Sequence, residues 1–199
     1  MILTTNVLLD EYKEFGDPYG KIRRLVKNKD LFLLSKGLYT DSSHISGLYV
    51  ANAIYGPSYV SFNTALSYWG MIPEAVYNIT SATTQKMKKK TYSNFIGQFT
   101  YRDIPLKAFP FGIKIIEENG YRFMIASREK ALCDKLYELP IVRTQKELEF
   151  MLFNDMRLDY DSFLNLSVKD IDFLATKYHS VNVLLLAKFL RRKVNEYHN

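Results

Sequence analysis

A single cysteine, Cys133, stands in a chain of 199 residues, so no internal disulfide can form. That fits a reducing compartment, and a cytoplasmic location is expected. Histidine is also scarce. His44, His179 and His198 lie far apart in sequence and make no ligand pair. No metal site is expected from them, and no cofactor motif stands in their place. There is no glycine-rich phosphate loop and no GxSxG elbow. The paired carboxylates Glu117-Glu118 flank a turn signal and read as a solvated hairpin tip rather than an acid/base pair. No apolar run approaches the roughly 18 residues of a membrane span. The run VLLLAKFL near the end is broken by Lys188. The opening MILTTNVLLDEY turns acidic at once and lacks the basic region of a signal peptide. Internal repeats and low-complexity segments are absent.

What is present is a core-forming chain with a basic lean. Apolar residues make up 47%, which suffices for a packed interior. Lysine and arginine total 27 against 21 acidic residues, a net charge of +6 that favours anionic partners. The 15 tyrosines and 13 phenylalanines suit half-buried sheet positions.

The pattern along the chain predicts elements in a definite order. Residues 3–15 predict a short helix, with Leu3, Val7, Leu8, Tyr12 and Phe15 spaced mostly by three or four. Gly16-Asp17-Pro18 stops it and starts a second helix over 19–28, with Asp17 as N-cap and Pro18 in the first helical position. Leu31 to Leu34 reads as a strand, Lys36-Gly37 as a turn, and Leu38-Tyr39 as the return strand. The polar break DSSHISG, residues 41–47, is the expected boundary between a unit of residues 1–40 and one of residues 41–199.

Beyond it, 48–55 and 63–68 are helical, with Gly56-Pro57 and Gly70 as punctuation. Val76–Ser81 and Gln98–Arg102 predict strands, joined by a mobile basic connection, KMKKK. Residues 113–117 and 121–125 flank Asn119-Gly120, a strong hairpin signal. Ser127 caps a helix that reaches Leu139 before Pro140. Thr144 to Glu147 spells a capping box for a helix to about Met156. Ser167 opens another, and a last helix covers about 181–197. Cys133 in KALCDKLYEL reads as a packed thiol. Helices and sheet in blocks indicate an α+β fold with antiparallel strands and C-terminal helices.

Three basic clusters carry the functional signal. Lys21, Arg23, Arg24, Lys27 and Lys29 lie in and just after the second helix, with Lys36 in the following turn. A helix fits the DNA major groove, and cations beside it neutralise phosphates. Equally, such a helix can be an amphipathic scaffold with a solvated face. Lys86, Lys88, Lys89 and Lys90 form the second cluster and could add phosphate contacts. Lys188, Arg191, Arg192 and Lys193 form the third, where complementing a helix dipole accounts for the charge.

Two stretches together resemble a known family. KIRRLVKNKDLFLLSKGLYT is similar to the winged-helix end of AbiEi-type antitoxins. ANAIYGPSYVSFNTALSYWGMIPEAVYNITSATTQKMKK, followed by FTYRDIP and IASREKALCDKLY, resembles the same family and is the more specific stretch. The resemblance covers residues 18–139. It implies a type IV toxin–antitoxin system in which the chain represses its own operon. Its partners would be operator DNA, bound with a possible homodimer, and a nucleotidyltransferase-like toxin countered with or without direct contact. Residues 1–40 would be the DNA-binding winged helix and residues 41–199 the antitoxin domain. By position, Lys21, Arg23, Arg24 and Lys27 would lie on or beside the reading helix, with Lys36 and Gly37 at the wing tip. Tyr55 to Tyr59, Ser61, Ala65, Leu66 and Gly70 match as architecture, with Ser61 expected to cap the helix after it. One departure stands out. Only one helix precedes Asp17-Pro18, where a full winged helix has two.

Two other readings remain. A metal-dependent nuclease delivered by the winged helix would draw on Glu129, Lys130 and Asp134. A protein-interaction module would leave the winged helix silent toward DNA.

Overall fold

The computed structural model describes residues 1–197 in full and the backbone of residue 198. The chain opens as a strand, β1 (Ile2–Thr4), not as the start of a helix. Ile2 and Leu3 pair with Thr40 and Tyr39 of β3 (Leu38–Thr40), a partner that local periodicity cannot reveal. Thr4 then caps α1 (Thr5–Glu11), accepting from the Val7 amide. Helix α2 (Pro18–Lys27) starts as the Asp-Pro pair predicts. Asp17 accepts from the Gly20 amide at 2.8 Å, and Pro18 takes the position where no donor is needed. Strand β2 (Phe32–Ser35) turns through Lys36-Gly37 into β3, and the sheet order is β1-β3-β2.

Alternate residues of a strand face opposite ways, and both faces of this sheet are covered. Leu3 and Tyr39 join Leu8, Ile22, Leu25 and Leu31 in a small core under α1 and α2. Ile2, Leu34 and Leu38 join the main core of the chain instead.

That main core is built on a six-stranded sheet of order β6-β7-β5-β4-β9-β8. Its strands are β4 (Tyr59–Val60), β5 (Ile79–Thr83), β6 (Lys90–Asn94), β7 (Gly97–Asp103), β8 (Ile113–Glu118) and β9 (Tyr121–Ala126). The strands are not all antiparallel as expected, because β5 runs parallel to β7 and β4 parallel to β9. Strand β5 begins three residues later than predicted. The Asn78 carbonyl is drawn to the Thr64 hydroxyl at 3.1 Å, and Ile79 is the first residue to pair with β7. Strand β6, which falls within the expected connection after the lysine patch, pairs residue for residue with β7. The Asn-Gly hairpin forms as predicted, with φ of 52° and 78° at its two turn residues.

Helix α3 (Gly47–Ile54) precedes β4, and α4 (Phe62–Tyr68) follows it. Ser61 sits at the α4 N-cap position, but its side chain makes no capping bond. It is used elsewhere, as described below. Gly70 at φ +68° ends this segment, and the Trp69 indole donates to the Ala126 carbonyl at 2.7 Å. Helix α5 (Arg128–Glu138) is capped by Ser127 as predicted. The Thr144/Glu147 capping box opens α6 (Gln145–Phe150). The run toward Met156 then widens into a π-turn over Met151–Asp155. A short helix that the sequence pattern does not predict, α7 (Tyr160–Leu164), precedes α8 (Val168–Tyr178) and α9 (Val181–His198). Phe153 of the π-turn, Phe163 of α7 and Phe189 of α9 pack against one another.

Candidate nucleic-acid interface

Helix α2 turns Ile22, Leu25 and Val26 into the small core. At 100° per residue, Arg23, Arg24 and Lys27 then fall within an arc of about 100° on the opposite side. All three are exposed. Lys27 makes no ion pair among the described residues. Arg23 reaches only the exposed Asp17, at 3.9 Å, and Arg24 Nε donates to the Gly20 carbonyl at 3.3 Å. Lys21 stands off this stripe, half-buried, with its ammonium 5.3 Å from the Phe15 ring centre. The main core lies on the other face of the sheet from α2, and no described residue covers the cationic stripe.

Lys36 is exposed at the β2–β3 turn. Gly37 takes φ +80°, a conformation that L side chains rarely adopt. Its carbonyl accepts from the Thr5 amide at 3.0 Å, tying the turn to the start of α1.

The second lysine cluster lies elsewhere. Lys86 to Lys89 form a loop, and Lys90 starts β6. The other end of β6 meets the small unit, where Asn94 Nδ2 donates to the Leu34 carbonyl at 2.9 Å and Phe95 packs on Phe32 at 5.1 Å. Four strand steps of about 3.3 Å separate Lys90 from that seam. The expected mobile connection is anchored. Asp103 accepts the Lys86 and Met87 amides, each at 2.6 Å, and the Thr83 hydroxyl at 2.8 Å. Lys86 lays its ammonium 5.2 Å from the Tyr55 ring centre. Of the third cluster, Arg191 pairs with Asp172 at 2.7 Å and Lys193 with Glu149 at 3.0 Å, so these charges join helices.

Sequence reasoning missed how Lys130 and Asp134 are used. Both are fully buried. The Lys130 ammonium donates to the Ala108 carbonyl at 2.7 Å and to the Tyr178 hydroxyl at 2.6 Å, and lies 3.5 Å from Asp134. Asp134 accepts from Ser61 at 2.6 Å, from Tyr59 at 3.0 Å and from Tyr178. This explains why Ser61 does not cap α4. Burial pulls Lys130 below its usual range against the opposing pull of Asp134. Burial, then the Asp134 charge, push the Tyr59 and Tyr178 phenols well up. The nearby Cys133 thiol is buried and likewise pushed up. Glu129 is occupied by Ser127 and the Ser167 amide. A phosphodiester has no path to Lys130 or Asp134, so their chemistry is structural. Among the described residues no three His, Cys, Asp or Glu side chains gather into a metal-holding group. The side chain of His198 lies outside the described residues.

No family model matches the chain, and no curated protein matches it.

Proposed function

We propose that the chain is a DNA-binding antitoxin that represses its own toxin–antitoxin operon and counteracts a nucleotidyltransferase-like toxin, without catalysis of its own. In this reading residues 1–40 are a reduced winged helix, α2 is the reading helix, and the β2–β3 turn is the wing. The observation that carries it is the outward stripe of Arg23, Arg24 and Lys27 on a helix whose other side is locked into a core. The order strand, helix, helix, hairpin with β1 paired to the hairpin supports it. So does the resemblance over residues 18–139. Operator duplex would lie along α2, with Lys36 on phosphate, and an inverted repeat would engage two copies. The toxin-directed function falls to residues 41–199. No helix among the described residues is long and apolar enough to cross a membrane. A cytoplasmic location goes with the operon-repressor reading.

Arg24→Ala with Lys27→Ala should weaken duplex binding and flatten its salt dependence, by about 0.9 in log–log slope for each phosphate left without its cation. Gel shifts on the promoter region across a salt series measure both. Binding equal to wild type in that series sinks the assignment of α2. Binding at no salt concentration by either protein would favour the interaction-module reading.

A further inference from the structure

A groove of about 480 Å³ opens between α4 and the β5–β7–β6 part of the main sheet. That volume lies within the roughly 300–1,000 Å³ range of ligand sites. Thr91 and Thr100, cross-strand partners, line it together with Gln98. Lys89 stands at its edge, beside exposed Lys88. Neither lysine has an ion-pair partner among the described residues. The one carboxylate lining the groove, Glu74, is held by Arg157 at 3.0 Å, and the lining Arg102 is neutralised by Glu138. The free charge of the groove is therefore positive. Tyr77, also in the lining, is 89% exposed.

The lysine loop is held in shape. Gln85 and Met87 take φ of 58° and 56°, a region that residues with side chains seldom occupy. Asp103 fixes them there by accepting two successive amides, filling the backbone's own anion nest. Strained backbone over-determined by its surroundings is the pattern of ligand-binding segments. Here the strain and the anchor present unpaired lysines at the rim of a polar groove.

We propose that this groove and its lysine loop are a second site, separate from α2, that takes a single-stranded polynucleotide. Lys88 and Lys89 meet successive phosphates. Thr91, Thr100 and Gln98 offer neutral hydrogen-bonding groups to sugars and base edges. Tyr77 stacks on a base. Stacking selects the single strand, because a base inside a duplex already has both faces covered. The site does not rest on the α2 assignment, and the two fail separately.

The test is fluorescence anisotropy of a labelled short oligothymidylate with the full chain at several salt concentrations. Wild type binds, with affinity falling as salt rises. Lys88→Ala with Lys89→Ala weakens binding and flattens the salt slope by about 0.7 per lysine. Tyr77→Ala weakens it about tenfold, as removal of one base–aromatic stack does. Arg24→Ala with Lys27→Ala leaves oligothymidylate binding as in wild type, whatever it does to duplex binding. All these side chains are exposed, so unchanged unfolding midpoints confirm intact folds. No binding by wild type at low salt overturns the proposal. So does insensitivity to the Tyr77 and Lys88/Lys89 changes, or abolition of strand binding by the α2 changes.

Discussion

Asp134 accepts three hydroxyls and faces an ammonium, with no exposure to solvent. Removing one member of such a set strands the others without water to replace it. Asp134→Ala should therefore cost about 3–5 kcal/mol in urea unfolding, the range for breaking a buried pair. A drop under about 1 kcal/mol would mean the network rearranges freely. Helical spacing puts residues 130 and 134 on one face of α5, which is legible in the sequence. Their hydroxyl partners are not. Tyr59 lies 75 residues away from Asp134 and Tyr178 lies 44 away, and only the folded chain joins them. The same holds for Asp103, whose carboxylate anchors a loop 16 residues earlier. The cationic stripe of α2 was legible because it needs only helical geometry and a buried opposite face. The polar groove was not, because its lining comes from separate strands and a helix.

At the scale of elements, the helix starts were readable because caps are local. Asp17, Ser127, Thr144 and Ser167 each accept from an amide three residues on, as their residue types predict. The short strands β1, β4 and β6 went unseen because pairing partners, not their own composition, define them. The α6 box also carries a charge. Glu147 is held below its ordinary 4.5 by the Arg143 and Thr144 amides. A carboxylate with a depressed folded value contributes stability above its unfolded value and loses it as pH falls through the folded one. Glu147→Gln should thus lower the thermal midpoint at neutral pH, and the difference should vanish in strong acid. A difference of equal size at both ends would assign the effect to shape rather than charge.

At the scale of the molecule, the small unit is not self-sufficient. Among the described residues its own core buries just Leu8, Ile22 and Leu31, and the far face of its sheet belongs to the main core. Chains of about 40 residues seldom fold without a disulfide, metal or partner surface. An excised fragment of residues 1–44 should show little helical circular dichroism and no cooperative melt. A cooperative transition would make it an independent module.

The seam between β2 and the β6–β7 turn has a consequence for how the chain meets long ligands. Two binding modules on a slack tether find their second target at an effective concentration set by tether length. Here Ile45, inside the polar break, is buried, and Asn94 clasps the Leu34 backbone, so there is little slack to tune. The bearing of α2 relative to the lysine loop is a fixed gauge, written into side-chain packing. A nucleic acid engaging both would have to bend or fray to suit the protein, and the protein would not stretch to suit it.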